Sequence, residues 1–311
     1  MSKLRICLFG KFHVLRDEKP LEGLDAAKAQ ELFCYLLLHW SRPHSREILA
    51  GLLWGDSTTA QSRKYLRQGL WQLQSALETN TDHDYTPILH VEPEWVQFNL
   101  SANIAVDVMQ FVSTFELLQE RNGSALSHEC ADALRTATEL YRGDLLEGWC
   151  QDWCLFERER LQNIYLIMLD KLISYCEAHS EYESGLAYST RILQIDRAHE
   201  RTHQQLMRLR YLLGDRTGAL RQYERCVAAL ADELAVEPSA QTRLLYEQIR
   251  ADHLADNSPQ PADAKSLTTA IDPSILDLLS RLKQLWAKLG NVQREIEQDI
   301  QRVELSLHNG R

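Results

Sequence analysis

A mainly α chain with a small β component is predicted by three features of the sequence. Strand-like alternation is confined to short stretches of the first 100 residues, helical periodicity runs almost unbroken from Val106 to Arg250, and apolar residues recur at heptad spacing from Ile275 to Val303. At 311 residues the chain has room for two or three domains, each with its own core.

The elements follow in order. Leu4, Ile6 and Leu8 alternate with Arg5 and Cys7, and Phe12 and Val14 follow Gly10, which predicts two strands joined by a tight turn. Asp25 is placed to cap a helix in which Ala29, Leu32, Phe33, Leu36, Leu37 and Trp40 fall on one face. Beyond Pro43, Ser45 can cap a second, short helix carrying Ile48, Leu49, Leu52 and Leu53 and stopped by Gly55. A third helix, from about Thr59 to Glu78, buries Leu66, Leu70, Leu73 and Leu77. Two strand-like runs, Ile88 to Val91 and Trp95 to Phe98, flank Glu92-Pro93-Glu94 as a hairpin. Strands, three helices and a hairpin form the order of a winged helix-turn-helix.

The helical stretch that follows contains a repeat. The segment from Ser180 superposes on that from Gly214, placing Glu181 on Asp215, Gly185 on Ala219 and Leu186 on Leu220 at an offset of 34 residues. That offset is the tetratricopeptide period, in which small residues allow paired helices to approach closely. Two repeats are too few for an independent solenoid, so the helices before Cys176 must complete the stack. Ala251 to Asp272 is polar, contains Pro259 and Pro261 and lacks periodicity, which marks a linker. The heptad positions after it are Ile275, Leu278, Leu282, Leu285, Leu289, Val292, Ile296 and Val303, the seam of a coiled-coil-like oligomerisation helix or of a helix folded back on the repeats. The expected division is a winged-helix domain at 1–102, a helical repeat domain at 103–251, a linker at 252–272 and the C-terminal helix at 273–308.

Charge is distributed unevenly. The net charge of -10 resolves into -1 over residues 1–100, -7 over 101–250 and -2 over the remainder. An acidic middle argues against a non-specific nucleic-acid binder and directs that segment toward protein partners. No run approaches the ~18 consecutive apolar residues of a membrane span, and the N-terminus has no secretory apolar core, so no membrane partner and a cytoplasmic location are expected. The seven cysteines are odd in number and scattered through apolar patterns, as reduced core thiols are, with Cys150 and Cys154 too isolated a pair to signal zinc.

The third helix carries the candidate chemistry. At 100° per residue, Ala60, Lys64, Arg67, Gln68, Trp71 and Ser75 cluster on the side opposite its leucines. A major groove admits one such helix; Arg or Lys can bond guanine O6 and N7, and Gln can pair with adenine. Lys64, Arg67 and Gln68 are therefore candidate base readers, and Arg63 at the stripe's edge is a phosphate contact. Trp71 is either a thymine-methyl contact or the spot where the helical domain docks.

These segments resemble a known family. FGKFHV at Phe9 to Val14, ELFCYLLLH from Glu31, SREILAGLLWGD from Ser45 and YLRQGLWQLQSAL from Tyr65 are similar to the OmpR-like winged helix of the SARP activators. WCLFERERLQ from Trp153 and the run from His199 to Thr242 resemble the bacterial transcriptional activator domain that follows it. The resemblance implies a transcription factor whose third helix enters the major groove, whose hairpin touches the minor groove, and whose repeat domain supports dimerisation and contact with RNA polymerase. Two positions depart from the family pattern: Gln74 stands where a basic residue is common, and Glu92-Pro93-Glu94 where the wing usually offers cations.

His199-Glu200-Arg201-Thr202-His203 is a literal HExxH, with Glu224 as an imaginable third ligand, but it opens a repeat helix and is read as structural. No GxSxG or phosphate-binding GxxxxGK[ST] loop occurs, and no enzyme activity, cofactor or metal is expected. The function expected is a DNA-binding transcriptional regulator, with double-stranded DNA, RNA polymerase and a second copy of the chain as partners. The alternative is a protein-interaction scaffold whose winged helix no longer reads DNA.

Overall fold

In the computed structural model, residues 4–77, 87–99 and 104–253 are described. All their elements belong to one compact unit, Met1–Asp252. The expected linker after Asp252 and the heptad positions from Ile275 to Val303 lie outside the described residues, except for the linker's first two positions.

Strands β1 (Leu4–Cys7) and β2 (His13–Arg16) pair antiparallel, with Leu4 opposite Arg16 and Cys7 opposite His13. Gly10, at φ +79°, lies in the connection between them. β3 (Lys19–Pro20) extends this sheet on one side. On the other, β1 pairs in parallel with β7 (Ile104–Val106), giving the order β3-β2-β1-β7. The first helix, α1 (Ala27–Leu38), starts later than the sequence suggests. Ala26 holds the cap position in extended conformation with no side-chain cap, so Asp25 does not cap the helix. Trp40 lies past its end and is half-buried.

A two-residue strand, β4 (His44–Ser45), precedes α2 (Arg46–Leu53). Ser45 occupies the cap position, but its side chain makes no cap hydrogen bond. Only two of its four large apolar residues are buried. Leu49 and Leu53 are in the core, whereas Ile48 is 66% exposed and Leu52 45%, because the short helix turns that edge outward. Helix α3 (Thr59–Leu77) buries Leu66, Leu70, Leu73 and Leu77 as its period requires. β5 (Leu89–Val91) and β6 (Trp95–Phe98) form the hairpin, and β4 adds to β6 to make a second sheet, β4-β6-β5. Described helix accounts for much of the chain and strands are few and short: the mainly α class with a small β component is what is observed.

After β7 the chain continues through α4 (Asp107–Leu118), a short 3-10 turn (Gly123–Ala125), α5 (His128–Leu140) and the long α6 (Asp152–Ala178). Two helix pairs follow: α7 (Tyr182–Ile195) with α8 (Glu200–Leu212), and α9 (Arg216–Leu234) with α10 (Ala240–Ala251). The repeat is visible in how these helices start. Asp215 caps α9 by accepting from the Gly218 N–H at 2.8 Å, and its counterpart Glu181 precedes α7. Gly185 and Ala219 are both buried where helices meet; a Cβ at Gly185 would lie 2.9 Å from Leu209 Cδ1 and 3.3 Å from Cys176 Cβ.

The winged helix shares one apolar core with the helices up to α8, running from Leu4 and Ile6 through Phe33 and Phe111 to Met168 and Leu209, while Ala198, Cys226 and Leu230 form a separate small cluster. Polar bonds join the winged helix to the helical part too. The Asp107 carboxylate, at the start of α4, accepts the backbone N–H groups of Leu8 and Phe9 at 2.9 to 3.0 Å. Leu146 N–H donates to Leu8 O and Glu147 N–H to Gly10 O, both at 2.8 Å. All seven cysteines are free thiols, but not all are core residues: Cys150 is exposed, and Cys7 and Cys130 are half-buried.

Candidate nucleic-acid interface

The α3 helix is held firmly from behind and left open in front. Leu66, Leu70 and Leu73 are at most 2% exposed, which fixes the rotation of the helix about its axis. Near its start, Ser62 Oγ donates to Trp54 O at 2.8 Å, tying α3 to the end of α2. At Leu77, the last described residue of the helix, the Arg16 guanidinium of β2 donates to Leu77 O at 2.7 Å. Gly69 completes the seat: a Cβ there would lie 3.4 Å from the Trp54 ring and 3.5 Å from Leu32 of α1.

The outer face is uncovered. Ala60, Lys64, Arg67, Gln68, Trp71 and Ser75 are all exposed, Trp71 by 67% of its surface. The helical domain does not dock on Trp71. It packs instead against α1 and the segment that follows β1, where Tyr35 meets Trp153 edge-on at 5.6 Å and Phe9 meets Phe111 at 5.1 Å. Lys64, Arg67, Gln68 and Trp71 therefore share one solvent-facing stripe.

Arg63 is placed differently. Its guanidinium is engaged by Glu47 of α2 at 2.7 Å. Arg63 and Arg67 line an open groove between α3 and the hairpin whose other walls are Ser45, Arg46, Glu47, Pro93, Glu94 and Trp95. The hairpin tip is exposed, and Glu94 on the groove wall confronts any polyanion laid along it. Sequence reading did not single out Arg46, which donates to Glu92 O at 3.0 Å and holds the hairpin against α2. Nor did it single out Arg16, whose partner lies 61 residues away; neither contact has a local signature.

The HExxH segment shows no convergence of ligands. His203 is 3% exposed, with Nε2 bonded to Arg197 O at 2.9 Å and Nδ1 to Gln222 at 2.8 Å. His199 bonds Thr202 at 2.8 Å, and Glu200 accepts from the Ser239 N–H at 2.7 Å and from the Thr242 hydroxyl. Glu200 thus pins the start of α8 to α10 and His203 pins it to α9, while His199 bonds within the first turn of α8. Among the described residues no group of three or more His, Cys, Asp or Glu is arranged to hold a metal ion, and no helix is long and apolar enough to cross a membrane.

Comparison with known proteins agrees with this architecture. Residues 106–250 match the bacterial transcriptional activator domain family. The chain is 24% identical over 274 residues to the regulatory protein AfsR of Streptomyces coelicolor, covering 88% of this chain but 27% of AfsR, so it spans about a quarter of that relative's length. It is 24% identical over 229 residues to the transcriptional regulatory protein MoaR1 of Mycobacterium tuberculosis, covering 73% of each. Among solved structures it is similar to Mycobacterium tuberculosis EmbR, determined in complex with a low affinity phosphopeptide. The TM-score is 0.63 at 19% identity, over 85% of this chain and 67% of that one.

Proposed function

The chain is SARP-like, an OmpR-like winged helix followed by a bacterial transcriptional activator domain, and from that premise we propose that it is a DNA-binding transcriptional activator that reads the major groove with α3. Lys64, Arg67 and Gln68 contact base edges, Trp71 packs on a thymine methyl, and Arg63 reaches phosphate once it exchanges Glu47 for the backbone. The observation that carries this reading is the exposure of the whole stripe on a helix that is otherwise clamped at both ends and along its back. A rigid, uncovered helix is what base reading requires, since each contact depends on placement within a fraction of an ångström.

The domain at 1–102 supplies the reading head, and its net charge of -1 gives each copy a weak hold on phosphate. Two copies, joined through the seam from Ile275 to Val303 beyond a linker at 252–272, raise that hold by effective concentration. The acidic domain at 103–251 faces protein, with RNA polymerase as its partner in the cytoplasm. A second reading is favoured by the Glu47–Arg63 pair and the acidic hairpin tip: a winged helix turned over to protein contact, within an interaction scaffold. The test is to sequence genomic fragments retained by the purified chain at low salt and to measure affinity for them against salt. Enriched fragments sharing a repeated half-site, with affinity falling steeply as salt rises, support DNA reading. Absence of enrichment at low salt leaves the scaffold.

A further inference from the structure

A buried carboxylate lies at the junction of the two domains and has no part in the site described above. Glu31 of α1 is 4% exposed, yet it is surrounded by core residues such as Leu32 and Tyr35. A carboxylate in such a place is retained only if its oxygens are bonded, and here each oxygen has a donor from a different direction. Trp153, in the first turn of α6, donates its indole N–H to Glu31 Oε1 at 3.3 Å. Lys28 places Nζ 2.8 Å from Glu31 Oε2.

Lys28 then carries the connection forward. The same ammonium donates to Leu53 O, the last residue of α2, at 2.8 Å and stands 6.0 Å from the centre of the Trp54 ring. Trp54 is one of the residues on which α3 rests, beside Leu32: its ring faces Gly69, and its carbonyl accepts from Ser62. A continuous set of polar and packing contacts therefore runs from the helical domain through α1 to the turn that seats α3. The hairpin takes no part in these polar contacts: it is held by Arg46 and by β4, and its strand β6 packs on α1.

We propose that Glu31, with Trp153 and Lys28, is a positioning link through which the helical domain fixes the placement of α3. The proposal rests on α3 as the base-reading helix only for its consequence in DNA affinity; the mechanical link itself stands on the contacts above. None of the three side chains lies on the exposed stripe of α3, so none needs to touch DNA to affect binding.

The test uses the full chain with Trp153→Phe, Lys28→Met and the double variant. Phe keeps an aromatic ring against Tyr35 but removes the indole donor. Amide hydrogen exchange of the free protein is followed over residues 54–62 and over the hairpin. Each single variant is expected to raise exchange in 54–62 by about tenfold while the hairpin stays as in the parent, and the double variant to go no further than the singles, because both break one link. For a fragment selected by the parent protein, Kd is expected to weaken several-fold with an unchanged salt dependence, since no phosphate contact is lost.

Exchange that rises only around Trp153 and α1, or effects that multiply in the double variant, would overturn the link and leave Glu31 a local fastening of the seam. Should Lys28→Met fail to fold, Glu31→Gln keeps an acceptor for Trp153 and loses the ion pair, and must loosen 54–62 while leaving the start of α6 unchanged. If the parent binds no DNA, the reading of α3 fails, and the exchange measurement still decides the link.

Discussion

Replacing glycine by alanine at two helical positions is expected to change stability in opposite directions, and the reason is legible in a few ångströms. In a helix interior the substitution contributes about 1 kcal/mol, because glycine has more backbone freedom to lose on folding. At Gly69 the new methyl would meet Trp54 and Leu32 at 3.4 and 3.5 Å, ordinary contact distances, so the gain is kept. At Gly185 it would meet Leu209 Cδ1 at 2.9 Å and Cys176 Cβ at 3.3 Å, and both neighbours are fully buried with nowhere to go. Overpacking of this kind costs ~1–3 kcal/mol, which outweighs the propensity gain and leaves a net loss of about 1 kcal/mol. For a unit of this size, each ~1 kcal/mol shifts Tm by about 2–4 °C. Thermal denaturation of the two variants beside the parent should therefore place Gly69→Ala above it and Gly185→Ala below it. A Gly185→Ala protein as stable as the parent would refute the claim that the repeat helices are pressed together at this residue.

Other outcomes follow from the same geometry. Burial holds the imidazoles of His39, His44 and His203 below their ordinary value of 6.5, so below that pH the unfolded chain binds protons that the fold refuses. Stability should fall as pH drops from about 6.5, measured by urea midpoints at pH 7.5, 6.5 and 5.5, and His203→Gln should make the fall shallower; a flat profile would contradict this. Glu200→Ala removes the acceptor of Ser239 N–H and of the Thr242 hydroxyl and should cost ~1–2 kcal/mol, with added zinc leaving the Tm of parent and variant unchanged. Glu47→Gln releases Arg63, and on DNA should tighten binding and steepen the log K against log salt slope by about 0.9 for the phosphate gained.

What the sequence revealed and what it hid divide along the range of the interactions. Helix α3, its leucine stripe and the strands of the hairpin were legible because their signals are local periods of 3.6 and 2. The 34-residue offset likewise exposed the α7–α8 and α9–α10 pairs, down to Gly185 and Ala219. Strand β7 was missed because three residues carry too little pattern, and its partner β1 lies a hundred residues away in a parallel register. The start of α1 was misplaced because Asp25 has the chemistry of a cap, while the chain turns into the helix at Ala26. The second helix is legible from Ile48, Leu49, Leu52 and Leu53, but which of the four are buried is not, since one edge of so short a helix faces solvent.

The stripe of α3 was composed from sequence as an angular cluster. Whether the helical domain covered Trp71 could not be read there, because docking depends on where Trp153 and Tyr35 meet. The electrostatic neighbours were equally hidden: the Glu47–Arg63 pair spans 16 residues and two helices, and no spacing rule announces it. Glu31 is absent from the apolar positions that the helical period picks out, and only the seam explains its burial.

The account stands most directly on the contact of Arg67 with a base. Affinities of the parent and of Arg67→Ala should be compared on a fragment enriched by the parent and on variants of that fragment changed one base pair at a time. A loss of ~1–3 kcal/mol, about 5- to 150-fold in Kd, is predicted for the variant on the enriched fragment, with discrimination lost at one base pair and kept at the others. Equal binding by both proteins, or a uniform weakening that leaves every base preference intact, would contradict α3 as the reading helix.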